Sequence, residues 1–289
     1  MKYGIHVESQ HYFNIGGMKK FGVEYSKDIS YLLYEGDCLE IMPQLEAGSI
    51  DAVITDLPYG ITACEWDSVI PLDVMWKEVK RILKPNGVFV TTAVQPFTTI
   101  LINSNFDWFR YDWVWYKVAA SNFMNLKNRP FRTHEDILVF SPTANFTFNP
   151  IRVMRTEKSL MRDQLGKERI VRKGTAEHYG LKDIKDGMLS SDGTKHPIDI
   201  LTFPLHEKNG RYGSRHPTKK PVALYEYLIK TYTNIGDIVL DIAIGSGTTI
   251  IAAIKTGRNS IGIERDYRYF ELAKRRIRQA AFQLHLFFI

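Results

Sequence analysis

The chain has 289 residues, 44% hydrophobic and 24% charged, which fits one large globular domain or one domain carrying a sizeable insertion. No apolar run approaches the length of a bilayer span, and the opening MKYGIHVESQHYF lacks the apolar core of a signal peptide; the expectation is a cytoplasmic protein with no membrane association. Cys38 and Cys64 are the only cysteines, too few for a metal cluster and without a redox-pair spacing, so no metal site is expected and both thiols are expected reduced.

Residues 1–30 show no clear periodicity and read as an irregular N-terminal arm. YLLYEGD (31–37) reads as a strand entering a turn, and CLEIMPQLEAG as a short helix closed by Gly48. IDAVITD is the next strand, ending on Asp56. PLDVMWKEVKRILKPNG predicts a helix, with Pro71 in the first turn, Met75, Val79, Ile82 and Leu83 on one face, and Pro85-Asn86-Gly87 as the stop. GVFVTTA predicts a strand and PFTTILINSN a helix; FRYDWVWYK and EDILVFS then read as strands, with the tryptophans as sheet core.

From about Pro142 to Arg215 regularity fades and charge becomes dense. The whole chain carries a formal +6. Residues 151–220 hold 16 Lys and Arg against 9 Asp and Glu, a balance of +7 that leaves the remainder near −1. A basic excess confined to one segment suggests a surface for a polyanion.

Order returns with the amphipathic helix PVALYEYLIKTYTNIGD, then strand IVLDIAI, helix GTTIIAAIKTG, strand NSIGIE and helix DYRYFELAKRRIRQAAF. The basic face of KRRIRQ and Lys230 read as solvated helix surface. Strand–helix alternation at both ends of the chain predicts a parallel, doubly wound sheet.

Two stretches carry chemical signals. In LDIAIGSGTT (240–249) a strand ends at Asp241, and Gly245 and Gly247 open a helix. The glycines admit backbone close to a ligand, and the helix start offers free N–H groups. Ile250 stands where a third glycine would complete a dinucleotide fingerprint, so a nicotinamide cofactor is not favoured. Glu264 follows at ribose-binding spacing, which points to an adenosine-containing cofactor. The other stretch is Asp56-Leu57-Pro58-Tyr59-Gly60, a strand end followed by a proline-directed corner. Its plainest reading is a turn.

Together, in this order, the two stretches resemble the amino-group DNA methyltransferases. D-x-P-Y precedes D-x-x-x-G-S-G-T-T, the order of the circularly permuted beta group of adenine-N6 and cytosine-N4 enzymes. EGDC (35–38), RHPTKKP (215–221) and NLKNRPFRTHEDILVF (125–140) resemble further segments of that group. The resemblance covers roughly residues 31–141 and 214–280. It implies a mostly parallel, seven-stranded, Rossmann-like doubly wound α/β sheet that uses S-adenosylmethionine. The implied organisation is an arm (1–30), a catalytic half (31–141), a target-recognition insertion (142–215) and a cofactor-binding half (216–289).

It also implies site residues. Asp56 and the Leu57 carbonyl would accept the two N–H groups of a target amine, with Pro58 aiming that carbonyl and Tyr59 stacking on a base taken out of the duplex. Asp37 and Cys38 would meet the cofactor adenine, Glu264 its ribose, and Asp241, Gly245, Ser246, Gly247 and Thr248 its middle. Lys220 would lie toward its carboxylate end. Leu57 replaces the usual first proline of the motif, and Ile242-Ala243 replace a usual Pro-Phe. The Asp of D-x-P-Y favours adenine N6 in double-stranded DNA; cytosine N4, and less so an RNA amine, are the alternatives. A homodimer and a cognate restriction endonuclease are the further partners such an enzyme suggests.

Overall fold

The structure, a computed structural model, describes residues 11–15, 18–26, 29–60, 68–121, 130–157, 161, 193–205 and 220–287. Cys64, residues 125–129 of the central segment, residues 215–219 of RHPTKKP and much of the basic insertion lie outside them.

Twelve strands and six α-helices are described. In chain order the strands are β1 (His11–Ile15), β2 (Met18–Ser26), β3 (Ile29–Glu35), β4 (Ile50–Thr55), β5 (Leu83–Ala93), β6 (Phe109–Ser121), β7 (Arg132–Phe140), β8 (Val153–Met154), β9 (Thr194–Lys195), β10 (Ile200–Thr202), β11 (Ile238–Asp241) and β12 (Asn259–Glu264). The helices are α1 (Cys38–Ile41), α2 (Leu72–Ile82), α3 (Phe97–Ser104), α4 (Val222–Tyr232), α5 (Thr248–Thr256) and α6 (Tyr267–Phe287).

Ten strands form one sheet in the order β1-β2-β3-β12-β11-β4-β5-β7-β6-β10. The run from β3 to β5 is parallel throughout, and β7 is antiparallel to both β5 and β6. The seven strands from β3 to β6 are the mostly parallel sheet expected from the sequence. Both faces are covered, which is why the strands read as continuous apolar runs. Ala52, Ile54, Val88 and Val90 pack with Leu224, Leu228, Ile251 and Ile277 on one face. Val53, Phe89, Leu138 and Leu240 pack with Met75, Trp76, Val79 and Phe97 on the other. The tryptophans of β6 are core as expected: Trp113 donates to the Tyr232 hydroxyl at 2.6 Å and Trp115 to the Phe203 carbonyl at 2.8 Å.

Three expectations are corrected. The arm is not irregular over its described part, because β1 and β2 pair antiparallel and extend the sheet from β3. The helix that was to run to Pro85 ends at Ile82, and β5 begins at Leu83. The basic face of α6 is only partly solvated: Arg275 is exposed, but Lys274 and Arg276 are buried, and Arg276 donates to the Ser246 carbonyl. Long aliphatic stems let such residues pass through packed surroundings to a polar end.

A second compact unit, Pro150–Ile198, lies within the basic segment. Its described part contains the antiparallel pair of β8 and β9, joined further by the Arg155 amide on the Gly193 carbonyl (3.0 Å) and by Arg152 Nε on Thr194 Oγ1 (2.7 Å).

Gly262 in β12 faces Ile244, and a Cβ there would stand 2.7 Å from Ile244 Cγ2. That methyl sits on a branched carbon and cannot swing away freely. Gly262→Ala is expected to cost about 1–3 kcal/mol by overpacking, read as a lowered urea midpoint.

Candidate active site

Parallel pairing brings the two sequence stretches together. β4 and β11 are neighbours, with Val239 beside Ala52 and Leu240 beside Val53. Their carboxyl ends therefore emerge at one edge of the sheet, where open α/β sheets hold ligands. Thr55, the last residue of β4, donates its hydroxyl to Asp241 Oδ1 at 2.7 Å. Asp56 is the next residue.

Asp241 is enclosed rather than open. Its carboxylate also accepts from the Ala243 amide (3.0 Å) and from the Thr249 hydroxyl. Burial pushes its carboxyl up to about 6, against the pull of these donors. Its side chain thus organises the loop and ties β11 to β4.

The glycine loop is shaped by backbone needs. Gly245 and Gly247 have φ of 52° and 81°, in the left-handed region that favours glycine. A Cβ on Gly247 would meet Ile277 at 3.0 Å and Ala273 at 3.2 Å, so α6 closes over the turn. Gly247 caps α5, whose first amides face the sheet edge. Ser246 and Thr248 are buried beside it, and the Thr248 hydroxyl lies 3.5 Å from the Lys220 carbonyl.

Glu264 ends β12, the strand next to β11. Its two oxygens accept from the amides of Gly245 and Asp266, each at 2.8 Å. Burial raises its carboxyl to about 7, although both amides favour the charged form. Asp37 follows β3, the next strand again, and caps α1 by accepting from the Leu39 amide at 2.9 Å. Cys38 is buried beside it, its thiol pushed up to about 12 chiefly by that burial. Three consecutive strand ends therefore present a carboxylate, a carboxylate and a glycine turn.

The corner after β4 is a charged knot. Asp56 Oδ1 accepts from the Thr92 hydroxyl at 2.5 Å and lies 2.8 Å from the Tyr59 hydroxyl, which is 2.9 Å from Thr92 Oγ1. Lys220 Nζ stands 2.9 Å from Asp56 Oδ2 and 3.2 Å from Glu135 Oε2. Lys117 Nζ completes the row, 3.1 Å from Glu135 Oε1. The Tyr59 ring rests against Phe97 with centroids 5.4 Å apart. Leu57 buries its side chain in the core, which anchors the corner.

Burial works against the Lys220 ammonium, yet Asp56 and Glu135 outweigh it and hold the group charged. Glu135 shows the mirror case, with two lysines overcoming desolvation and lowering its carboxyl. Tyr59 is held well above the usual phenol range, first by burial and then by Asp56 and Glu135.

Sequence reasoning missed Thr92, Glu135 and Lys117. Glu135 stood within the H-E-x-x-x-x-F segment, and that was its only signal; Thr92 and Lys117 carried none. The Lys220 ammonium reaches the Asp56 corner, and its carbonyl meets the glycine turn. No group of His, Cys, Asp and Glu among the described residues could hold a metal ion. No helix among them is long and apolar enough to cross a membrane.

A doubly wound α/β sheet with glycine turn, carboxylates and charged corner on one edge defines a ligand-binding Rossmann-like domain. Residues 50–275 match the family model of N6/N4 DNA methylases, and the chain belongs to that family. It is 27% identical over 256 residues to the type II methyltransferase M.HpaI of Haemophilus parainfluenzae, covering 83% of this chain and 72% of that one. It is 24% identical over 294 residues to M2.DpnII of Streptococcus pneumoniae, covering 92% and 96%. Among solved structures it resembles the cytosine-N4-specific PvuII DNA methyltransferase, with a TM-score of 0.59, 20% identity and 87% and 91% of the two chains covered. The M1.HpyAVI–SAM complex gives 0.55, 24%, 86% and 98%.

The buried Glu264 generates a pH prediction. Its carboxyl is higher in the folded protein, about 7, than its ordinary 4.5, so the folded state holds this proton more tightly. Its contribution to stability falls as pH rises from about 4.5 to about 7. The stability of Glu264→Gln relative to the wild type is therefore expected to climb between pH 5 and pH 8, measured as the difference in urea midpoints; any constant cost of the amide cancels.

Proposed function

We propose that this DNA methylase transfers the methyl group of S-adenosylmethionine to N6 of adenine in double-stranded DNA. The observation that carries the reading is the hydrogen bond between Thr55 and Asp241, which sets Asp56 beside the glycine turn on one sheet edge. The residues present suit the cofactor. Gly245 and Gly247, both at left-handed φ, carry no side chain into the turn, and Glu264 keeps two of its four lone-pair positions beyond those taken by amides.

In this reading Asp37 faces the adenine and Glu264 the ribose, while Gly245, Ser246, Gly247 and Thr248 form the floor with backbone amides. When bound, the cofactor supplies an electrophilic sulfonium methyl. Asp56 accepts one N–H of the target amine and the Leu57 carbonyl accepts the other. This draws the nitrogen away from planarity and aims its lone pair, so catalysis is largely positioning and electrostatic complementarity. Tyr59 flanks the extruded base, and its hydroxyl keeps Asp56 oriented. The acidic first residue of the corner supports adenine over cytosine. The basic 142–215 segment supports contact with phosphates and base edges.

Methylation of defined duplex DNA followed by nucleoside mass spectrometry tests the reading. N6-methyladenine is the expected product; N4-methylcytosine would replace the base assignment, and no product would overturn the activity. Asp56→Ala is expected to abolish transfer while leaving cofactor affinity within a few-fold by calorimetry. Glu264→Ala is expected to weaken cofactor binding at least ten-fold. DNA affinity should fall steeply between 50 and 200 mM salt, as expected on the order of several phosphate contacts.

A further inference from the structure

The row Lys117–Glu135–Lys220–Asp56 exceeds what fixing one carboxylate requires. Two of its members would make an ion pair; this chain links four charges, three of them largely buried and Asp56 partly so. The side chains of Lys117, Lys220 and Glu135 are 3%, 8% and 11% exposed. Desolvating so many charges is costly, and apolar residues of similar size commonly serve stability as well or better. The arrangement therefore calls for a reason in geometry.

The topology shows how it is built. β7 is antiparallel between β5 and β6, so its early residue Glu135 lies at the edge where the parallel strands end. Trp115 of β6 pairs with Glu135, and Lys117 reaches the same carboxylate from two residues on. Directly after Lys117, Val118 takes a φ of 64°, uncommon for a β-branched residue, where the β6–β7 register breaks. A strained position persists where surrounding structure over-determines it.

We propose that Glu135, held by Lys117, is a positioning residue that divides the Lys220 ammonium between two carboxylates and so sets how strongly Asp56 accepts from the target amine. The inference rests on the function proposed above. Lys220 shared with Glu135 leaves Asp56 oriented yet less neutralised. Without Glu135 the ammonium turns wholly to Asp56 and weakens it as an acceptor. Without Lys117 the ammonium is drawn to Glu135, and Asp56 loses its restraint. The lowered carboxyl of Glu135 agrees with a pair of lysines keeping it charged at neutral pH. The other groups facing the cluster are Tyr59 and Thr92, together with Tyr225 of α4 and Asp241 of β11, both of which lie within electrostatic reach of Asp56.

The test uses single-turnover methylation by the full chain across pH, with cofactor affinity from calorimetry. Glu135→Gln is expected to slow the step at least ten-fold, with the KM for DNA within about three-fold, and to move the acid limb of the rate profile to lower pH, because a negative charge leaves the cluster. Lys117→Met is expected to slow it too and to move that limb to higher pH, because a positive charge leaves. The double variant should be no slower than Glu135→Gln alone, since Lys117 positions Asp56 through Glu135, and its acid limb should return toward the wild-type position, since the two removed charges cancel. Limbs that stay fixed or shift in the same direction in the two single variants, single-variant rates within two-fold of wild type, or additive rate losses in the double variant would overturn the proposal. So would loss of cofactor binding in both Glu135→Gln and the milder Lys117→Gln, which would make the row a support of the fold. A wild-type protein that yields no methylated base would instead strike the proposed function.

Discussion

The lateral pairing of β4 with β11 is the constraint on which the rest of the molecule depends. These strands are separated by most of the chain, yet they are hydrogen-bonded neighbours running the same way. Parallel pairing forces their carboxyl ends to one edge, and the Thr55–Asp241 hydrogen bond locks the ends in step. Asp241 tolerates its burial because three donors surround it, from Thr55, Ala243 and Thr249. A ligand lying along the ends of β3, β12 and β11 would reach Asp56 without any rearrangement of the sheet.

The second constraint is electrostatic. A charged knot in a low-dielectric place is rigid as long as every member is satisfied, and it is expensive once one partner is missing. The row of two lysines and two carboxylates alternates in sign and is neutral in sum. Its members come from β6, β7, the second residue before α4 and the corner after β4. The aromatic and hydroxyl groups of Tyr59 and Thr92 close its end. Rotamer freedom at Asp56 is thereby removed before any substrate arrives, which is the usual requirement of positional catalysis.

Much of this was legible in the sequence. β4, β5 and β11 could be read because both faces of a parallel sheet are buried, which leaves unbroken apolar runs. The glycine turn and the Asp56 corner could be read because backbone geometry restricts residue choice there. β1 and β2 were missed although their signal is present: Gly16-Gly17 separates two runs, and Phe21, Val23 and Tyr25 alternate with Gly22, Glu24 and Ser26. The end of α2 was overestimated because Lys84 and Pro85 look like a helix stop, whereas β5 takes up the chain from Leu83. The burial of Lys274 and Arg276 was missed because residue type alone says water, and only the packing of α6 over the glycine turn says otherwise. Thr92 of β5, Glu135 of β7 and Lys117 of β6 gain meaning solely from tertiary neighbours that local pattern cannot place.

The chain leaves the main unit at Asn149 and returns at Asp199, and both points are pinned. The Asn149 amide donates to the Thr231 carbonyl at 2.7 Å and its side chain reaches the Thr233 carbonyl at 3.1 Å, while the Asp199 carbonyl accepts from the Val114 amide at 2.8 Å. Between those pins the chain forms its own compact unit, Pro150–Ile198. Loop-closure entropy grows slowly with length, so such a segment can lengthen, shorten or be exchanged at small thermodynamic cost. Natural variation can therefore exchange this cassette while leaving the sheet intact, and an engineer can choose the same two cut points.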